Sequence, residues 1–359
     1  MPLADSQIPL AVVPSQHPLR RLVLAILRIA IGAGLLVWLA KSGIIDFREL
    51  SKLFTAWPIT LAAVALLLFD IAFMSLRLRW LFRVQDLQLS FGDSAKLTLI
   101  SFFFGTFLPG AAGGDIAKIF YAVRGNASRR TEIITVALLD RAFGLFSLLL
   151  LPLIFAPMFL DLLRAVPALR ILLYLVAWLA LAILLAFFLC LSNRQSVKSL
   201  LHYLLGIIPW RAQSDRMMET IRAYRRFPGV LFAALAASLA ANLFLVGVTA
   251  LAVMLLDPAA LSAGLCLVIP LGHVINAVPL TPGGLGVGEA AFNALFKIAG
   301  LTGGAEVLLS WRVWNTLVSL FGLGFYVRGL GAPFSIAAPS RMANLRAKHM
   351  HRAKPAACR

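Results

Sequence analysis

Six ionisable residues lie where the surrounding sequence is largely apolar: Asp115, Lys118, Asp140, Arg141, Glu289 and Arg312. A charge in hydrocarbon is costly unless it is paired or lines a polar cavity, so such residues mark buried ion pairs, relays or the path of a charged ligand. Asp115 and Lys118 stand three apart, on one face of a helix. Asp140 and Arg141 are adjacent and project about 100° apart, so neither satisfies the other. Arg141 therefore needs Asp115 or Glu289, and Asp140 needs Lys118 or Arg312. Two backbone breaks precede the acids. Pro109, Gly110, Gly113 and Gly114 run into Asp115, and Pro282, Gly283, Gly284 and Gly286 run up to Glu289. A helix that opens after such a break points unpaired N–H groups and a partial positive charge at its start, where its own acid or an anion such as phosphate is stabilised. Arg312 adds a guanidinium, the natural partner of a phosphate or a buried carboxylate.

Enzymatic signatures are weak beside this. The run Gly284, Gly286 and Gly288 lacks the GxGxxG spacing and follows no predicted strand, and no Walker lysine follows either glycine cluster. The five histidines form no metal spacing, and Cys190, Cys266 and Cys358 suggest neither a zinc site nor a disulfide framework. No cofactor is implied.

The elements that must hold these residues are set by composition: 61% hydrophobic, 13% charged and a mean hydropathy of +0.90, far outside the soluble range. The chain reads as an all-α polytopic membrane protein, with spans at 22–40, 58–76, 131–156, 169–191, 229–256, 259–278 and 305–328. A net charge of +18 could suggest nucleic acid, but the cations sit between apolar spans rather than along a soluble face. Clusters at Arg20 and Arg21, at Arg77, Arg79 and Arg83, at Arg124, Arg129 and Arg130, across 194–226 and in the tail from Arg341 are assigned to the cytoplasmic side, with both termini. Arg77, Arg79 and Trp80 read as interfacial anchors. Asp70, Asn242, His273, Asn276 and Asn315 are further polar positions within spans.

Basic loops flank 97–117 on both sides, so this segment enters and leaves on the cytoplasmic face as a re-entrant hairpin turning at Pro109 and Gly110. Residues 259–303 make the opposite excursion, out to out, around Pro282 and Gly283. That is the pattern an inverted-topology repeat would leave, giving about seven to eight transmembrane helices with broken or re-entrant pieces. The 192–228 connection, rich in leucine and then arginine, reads as an interfacial helix whose cations face anionic headgroups.

The ordered trio of Pro109 to Lys118, Asp140 with Arg141, and Pro282 to Ala290 resembles the membrane region of lysylphosphatidylglycerol synthases, a family of flippase-like membrane proteins. The resemblance covers nearly the whole chain. It departs at Asp140, where the family often has Glu, and at Gly288, where the family often has a basic residue. In two-part synthases of this family a soluble domain aminoacylates phosphatidylglycerol, and the membrane region moves the product across the bilayer. Pro2, Pro9, Pro14 and Pro18 make 1–20 read as a disordered cytoplasmic arm, and the cations of 331–359 as a basic cytoplasmic tail; the resemblance implies a flippase-like transmembrane domain at 21–330, without the synthase domain and so not an enzyme. The expected protein sits in the inner cell membrane and translocates an anionic or aminoacylated phospholipid, a hopanoid or another amphiphile. Pro109, Gly110, Gly113, Gly114, Asp115, Lys118, Asp140, Arg141, Pro282, Gly283, Gly284, Gly286, Glu289 and Arg312 would line the path. Membrane lipids are the implied partners, with self-association or a separate lipid-modifying enzyme left open. The alternative is an accessory subunit or enzyme of lipid or glycan modification, with Asp115 or Glu289 as general base.

Overall fold

The computed structural model describes residues 52–53, 55–107, 113–124, 126–192, 211–278, 281 and 284–329. The arm at 1–20, the span at 22–40, the tail at 331–359 and the turning residues Pro109, Gly110, Pro282 and Gly283 lie outside them. The described elements are helices, with no strand among them. They are α1 (Trp57–Val84), α2 (Phe91–Phe107), α3 (Gly113–Arg124), α4 (Arg130–Phe155), α5 (Leu160–Ala165), α6 (Pro167–Leu191), α7 (Arg211–Ala223), α8 (Pro228–Leu256), α9 (Leu265–Asn276), α10 (Val287–Ile298) and α11 (Gly304–Gly329).

Four helical segments are long and apolar enough to cross a membrane: α1, α4 continued through α5, α6 and α8. Proline sits in the first turn of α1, α6 and α8, where its missing N–H costs nothing and its φ suits the helix. Helix α11 has 26 residues but carries Glu306 and Arg312, and it is not among those four. The expected span at 259–278 contracts to α9, whose 12 residues rise only about 18 Å, short of the roughly 30 Å hydrocarbon core. The first hairpin starts earlier than expected, at Phe91. There the Ser90 hydroxyl accepts a hydrogen bond from the Asp93 N–H (3.0 Å) and donates one to the Asp93 carboxylate (2.7 Å), which caps α2.

Each break joins two helices that pack side by side, α2 on α3 and α9 on α10. Each hairpin follows a long helix, α1 or α8, and precedes another, α4 or α11. The chain therefore contains two four-helix units, α1–α4 and α8–α11. Their packing is reciprocal. Helix α1 lies on α8, α2 packs on α11 as α9 packs on α4, and α1 meets α11 as α8 meets α4. Exchanging the units maps each of these pairings onto another. Small buried residues let α8 approach its neighbours closely: Ala234, Ala237, Ser238 and Ala241 fall on one face at helical spacing.

The apolar interior divides in two. One core gathers Leu78, Leu81, Phe82, Ile133, Val136 and Tyr224. The other gathers Leu67, Ile71, Leu149, Val248, Phe292 and Trp314. Along α1 the boundary between them falls between Ile71 and Leu78, and along α4 between Phe143 and Leu149. On α1 Arg77 stands at this boundary, on α4 Asp140 and Arg141 come just before it, and Glu289 and Arg312 lie among residues of the second core.

Candidate functional site

Helix α3 begins at Gly113, so Asp115 is its third residue. A Cβ on Gly114 would lie 2.3 Å from the Ser101 carbonyl oxygen, so only glycine allows α3 to sit this close against α2. That approach sets Asp115 and Lys118 at the seam. Asp140 is almost fully buried, and two cations reach it: Arg77 Nε donates to Oδ1 at 2.7 Å and Lys118 Nζ donates to Oδ2 at 2.9 Å. Arg77 Nη1 also donates to Ser238 Oγ (2.8 Å), whose own proton goes to the Ala234 carbonyl. Lys118 Nζ lies 3.9 Å from Asp115 Oδ1, and Asp115 Oδ2 accepts from Arg141 Nη1. Charges thus alternate along a chain, Arg77, Asp140, Lys118, Asp115, Arg141. When all five are ionised it carries one positive charge more than negative. The Arg77 end is sealed, at 2% side-chain exposure, whereas Arg141 is 32% exposed.

The second unit repeats the last pair of this chain. Glu289 is also the third residue of its helix, α10. It is fully buried; its Oε2 accepts from the Gly286 N–H at 2.6 Å and its Oε1 from Arg312 Nε at 2.6 Å. Arg312 Nη2 donates to Asn276 Oδ1 at 2.8 Å, tying the end of α9 to α11. Gly288 stands directly before this acid, as Gly114 stands before Asp115, and a Cβ there would lie 2.2 Å from Asn276 Oδ1. In both units, then, an acid just inside the post-break helix pairs with an arginine on the next long helix.

Beyond that pair the units diverge. One turn after the acid comes Lys118 in the first unit and Phe292 in the second; before the arginine comes Asp140 in the first and Trp311 in the second. Where the first unit has an ionic chain, the second has His273 edge-on to both Phe292 and Trp311, with ring centroids 5.1 Å apart in each case. His273 Nε2 is 2.9 Å from Thr249 Oγ1. It is a satisfied core residue.

Two adjoining cavities connect the units. One of about 290 Å³ opens on Asp70, Arg77, Lys118, Asp140 and Arg141. The other, about 500 Å³, reaches Gly114, Leu285, Arg312 and Thr316. Ser101, Phe102, Asp115, Trp311 and Asn315 line both. Asp70 has no hydrogen-bond partner among the described residues, and its Coulombic partner is Arg77.

Of the residues singled out in the sequence, Asp115, Lys118, Asp140 and Arg141 form one cluster, and Gly286, Glu289 and Arg312 another. The open pairings resolve within each unit, Arg141 to Asp115 and Asp140 to Lys118, rather than to Glu289 or Arg312. Gly113 and Gly284 sit at the described edges of the two breaks. Arg77 corrects the sequence reading: it is not an interfacial anchor but the most deeply buried cation of the site. A signal existed. Arg77 and Arg79 are two apart and project about 200° from each other, so they could not both face the interface, and Arg77 falls two turns after Asp70 on the same face.

The sequence profile of one protein family, described as Lysylphosphatidylglycerol synthase TM region, matches residues 25–322. No curated protein and no solved structure matches the chain.

Proposed function

Because this chain belongs to the lysylphosphatidylglycerol synthase TM region family, we propose that it carries an amphiphilic lipid across the bilayer, with the headgroup passing between the two helical breaks. The observation that carries this reading is the pair of adjoining cavities, whose shared wall runs from Asp115 in one unit to Trp311 and Asn315 in the other. A route with charged and polar side chains along it suits a headgroup, while acyl chains stay in lipid outside. Arg141, the exposed end of the Arg77 to Arg141 chain, offers a guanidinium to a phosphate in the headgroup. An anionic or aminoacylated phospholipid fits that requirement. The activity is transport rather than covalent chemistry.

The same reading orients the molecule. Positive loops put α1 running inward and α8 outward, so the two units are inverted copies and the hairpins enter from opposite faces. Both termini are then cytoplasmic, in the inner cell membrane.

The test is translocation in proteoliposomes. Purified protein should accelerate movement of labelled phosphatidylglycerol or its aminoacylated form between leaflets, and Arg141→Gln should slow it by roughly tenfold or more through loss of one charge-assisted contact. Wild-type protein that accelerates no amphiphile tested, the aminoacylated lipid included, would overturn the reading.

A further inference from the structure

A second polar hollow, of about 1130 Å³, lies away from the two breaks. It is enclosed by the last turn of α1, the end of α6, the end of α7 and the start of α8. Four arginines face it, Arg83, Arg222, Arg225 and Arg226, against two carboxylates, Asp86 and Glu219. Among the described residues none of the four arginines makes a hydrogen bond or an ion pair, and Arg222 Nε is buried with no partner. A buried N–H left unpaired is costly and calls for an acceptor that the protein does not supply. The opposite wall is apolar, with Val84, Leu191, Val230 and Ala233, and Trp80 and Phe227 flank the rim.

The framework around this hollow is held by specific bonds. The Tyr224 hydroxyl donates to the Leu81 carbonyl at 2.8 Å, and its side chain is wholly buried. Gln85 Nε2 donates to the Thr220 carbonyl at 3.0 Å, and Arg129 Nη2 donates to the Gln85 carbonyl at 2.8 Å. These bonds lock the end of α1 to the end of α7, so the arginines project from a preformed cleft rather than from a loose loop.

We propose that this cleft is a binding site for the phosphate of an anionic phospholipid, separate from the transport path. The four guanidiniums supply donors and charge for a phosphate, and the apolar wall receives the upper part of an acyl chain; tryptophan beside arginine is the usual composition at headgroup level. A soluble phosphate would use the arginines but not the apolar wall. The occupant is therefore a lipid of the leaflet that the basic loops face. It acts as a fixed anchor for α7, since the site touches none of the residues around the breaks.

The experiment measures lipid binding to the full chain in detergent by native mass spectrometry, offering phosphatidylglycerol, phosphatidylcholine and inorganic phosphate separately. Phosphatidylglycerol should be retained in preference to phosphatidylcholine, and inorganic phosphate alone should not survive. Arg222→Gln combined with Arg225→Gln and Arg226→Gln should weaken retention roughly tenfold or more. A second variant keeps every charge. Gly229 lines the cleft and a Cβ there meets nothing within 4 Å, so Gly229→Phe adds a bulky ring at the cleft with room for its Cβ and should also weaken retention of the lipid. Retention unchanged in Gly229→Phe but lost in the arginine variant would mean diffuse surface charge and overturn the site, as would equal retention of phosphatidylcholine. Because the readout is binding, failure here leaves the translocation test unaffected, and the reverse also holds.

Discussion

At the scale of single residues the site turns on how buried charges are paired. Asp140 serves two cations at once, so its removal takes the nearest carboxylate from both Arg77 and Lys118 where they are buried. Asp140→Ala should destabilise the protein by about 3–5 kcal/mol, read as a large drop in thermal unfolding temperature in detergent. Arg77→Met should do less harm, because Lys118 still neutralises Asp140 and the methionine fills the volume. If Asp140→Ala unfolds no earlier than wild type, the ionic chain does not support the fold. Ser238→Ala removes one hydrogen bond to a charged group and should cost about 1.5–3 kcal/mol. Arg141 sits at the open end of the chain, so Arg141→Gln should leave the unfolding temperature nearly unchanged while it slows translocation. This contrast separates a supporting pair from a working one. Much of this was legible in the sequence, since adjacent Asp140 and Arg141 cannot satisfy each other and Asp115 with Lys118 share a face. Arg77 was hidden because it stands among Arg79, Trp80 and Arg83, a composition that reads as an interface whatever each member does.

At the scale of elements, the hairpins depend on glycines that stand immediately before the acids. Gly114→Ala drives a methyl group against the Ser101 carbonyl and should force α3 away from α2. Gly288→Ala drives one against Asn276 and displaces the oxygen that receives Arg312. Each should cost about 1–3 kcal/mol and loosen its own hairpin, visible as faster amide exchange in α3 for the first and in α10 for the second. Exchange that rose equally in both hairpins would argue against two separate units. The breaks themselves were easy to find, because proline and glycine within apolar sequence have few other uses. Their extents were harder to read. Helix α2 opens with Gly92, Asp93 and Lys96, polar enough to pass for a loop until the Ser90 cap is recognised. Helix α9 is apolar enough to pass for the end of a full span, and hydropathy does not register that Asn276 closes it after 12 residues.

At the scale of the molecule, two four-helix units exchange contacts reciprocally around a polar seam that separates two apolar cores. The opposed excursions pointed to a repeat, but the flanks of the two breaks share little beyond the prolines, glycines and acids, and the reciprocity of contacts emerges only from which helices pack together. The seam makes a global prediction. Helices that cross it should resist exchange on both sides yet open together when Asp140 is lost, so exchange in α1 and α4 should rise in concert in Asp140→Asn. Exchange that rises only beside residue 140 would mean that the two cores are held independently.

The likeness of plan and unlikeness of filling between the units has a thermodynamic consequence. A machine made of two identical halves would hold its two alternate arrangements at equal free energy and rest half in each. Here the exchange of halves would put a buried ionic chain where an aromatic stack stood, so the arrangements differ in energy, and each 1.4 kcal/mol of difference makes one of them ten times the more populated. Under the proposed translocation, a molecule with this interior would have a preferred face at rest, written into the choice of Lys118 over Phe292 and Asp140 over Trp311.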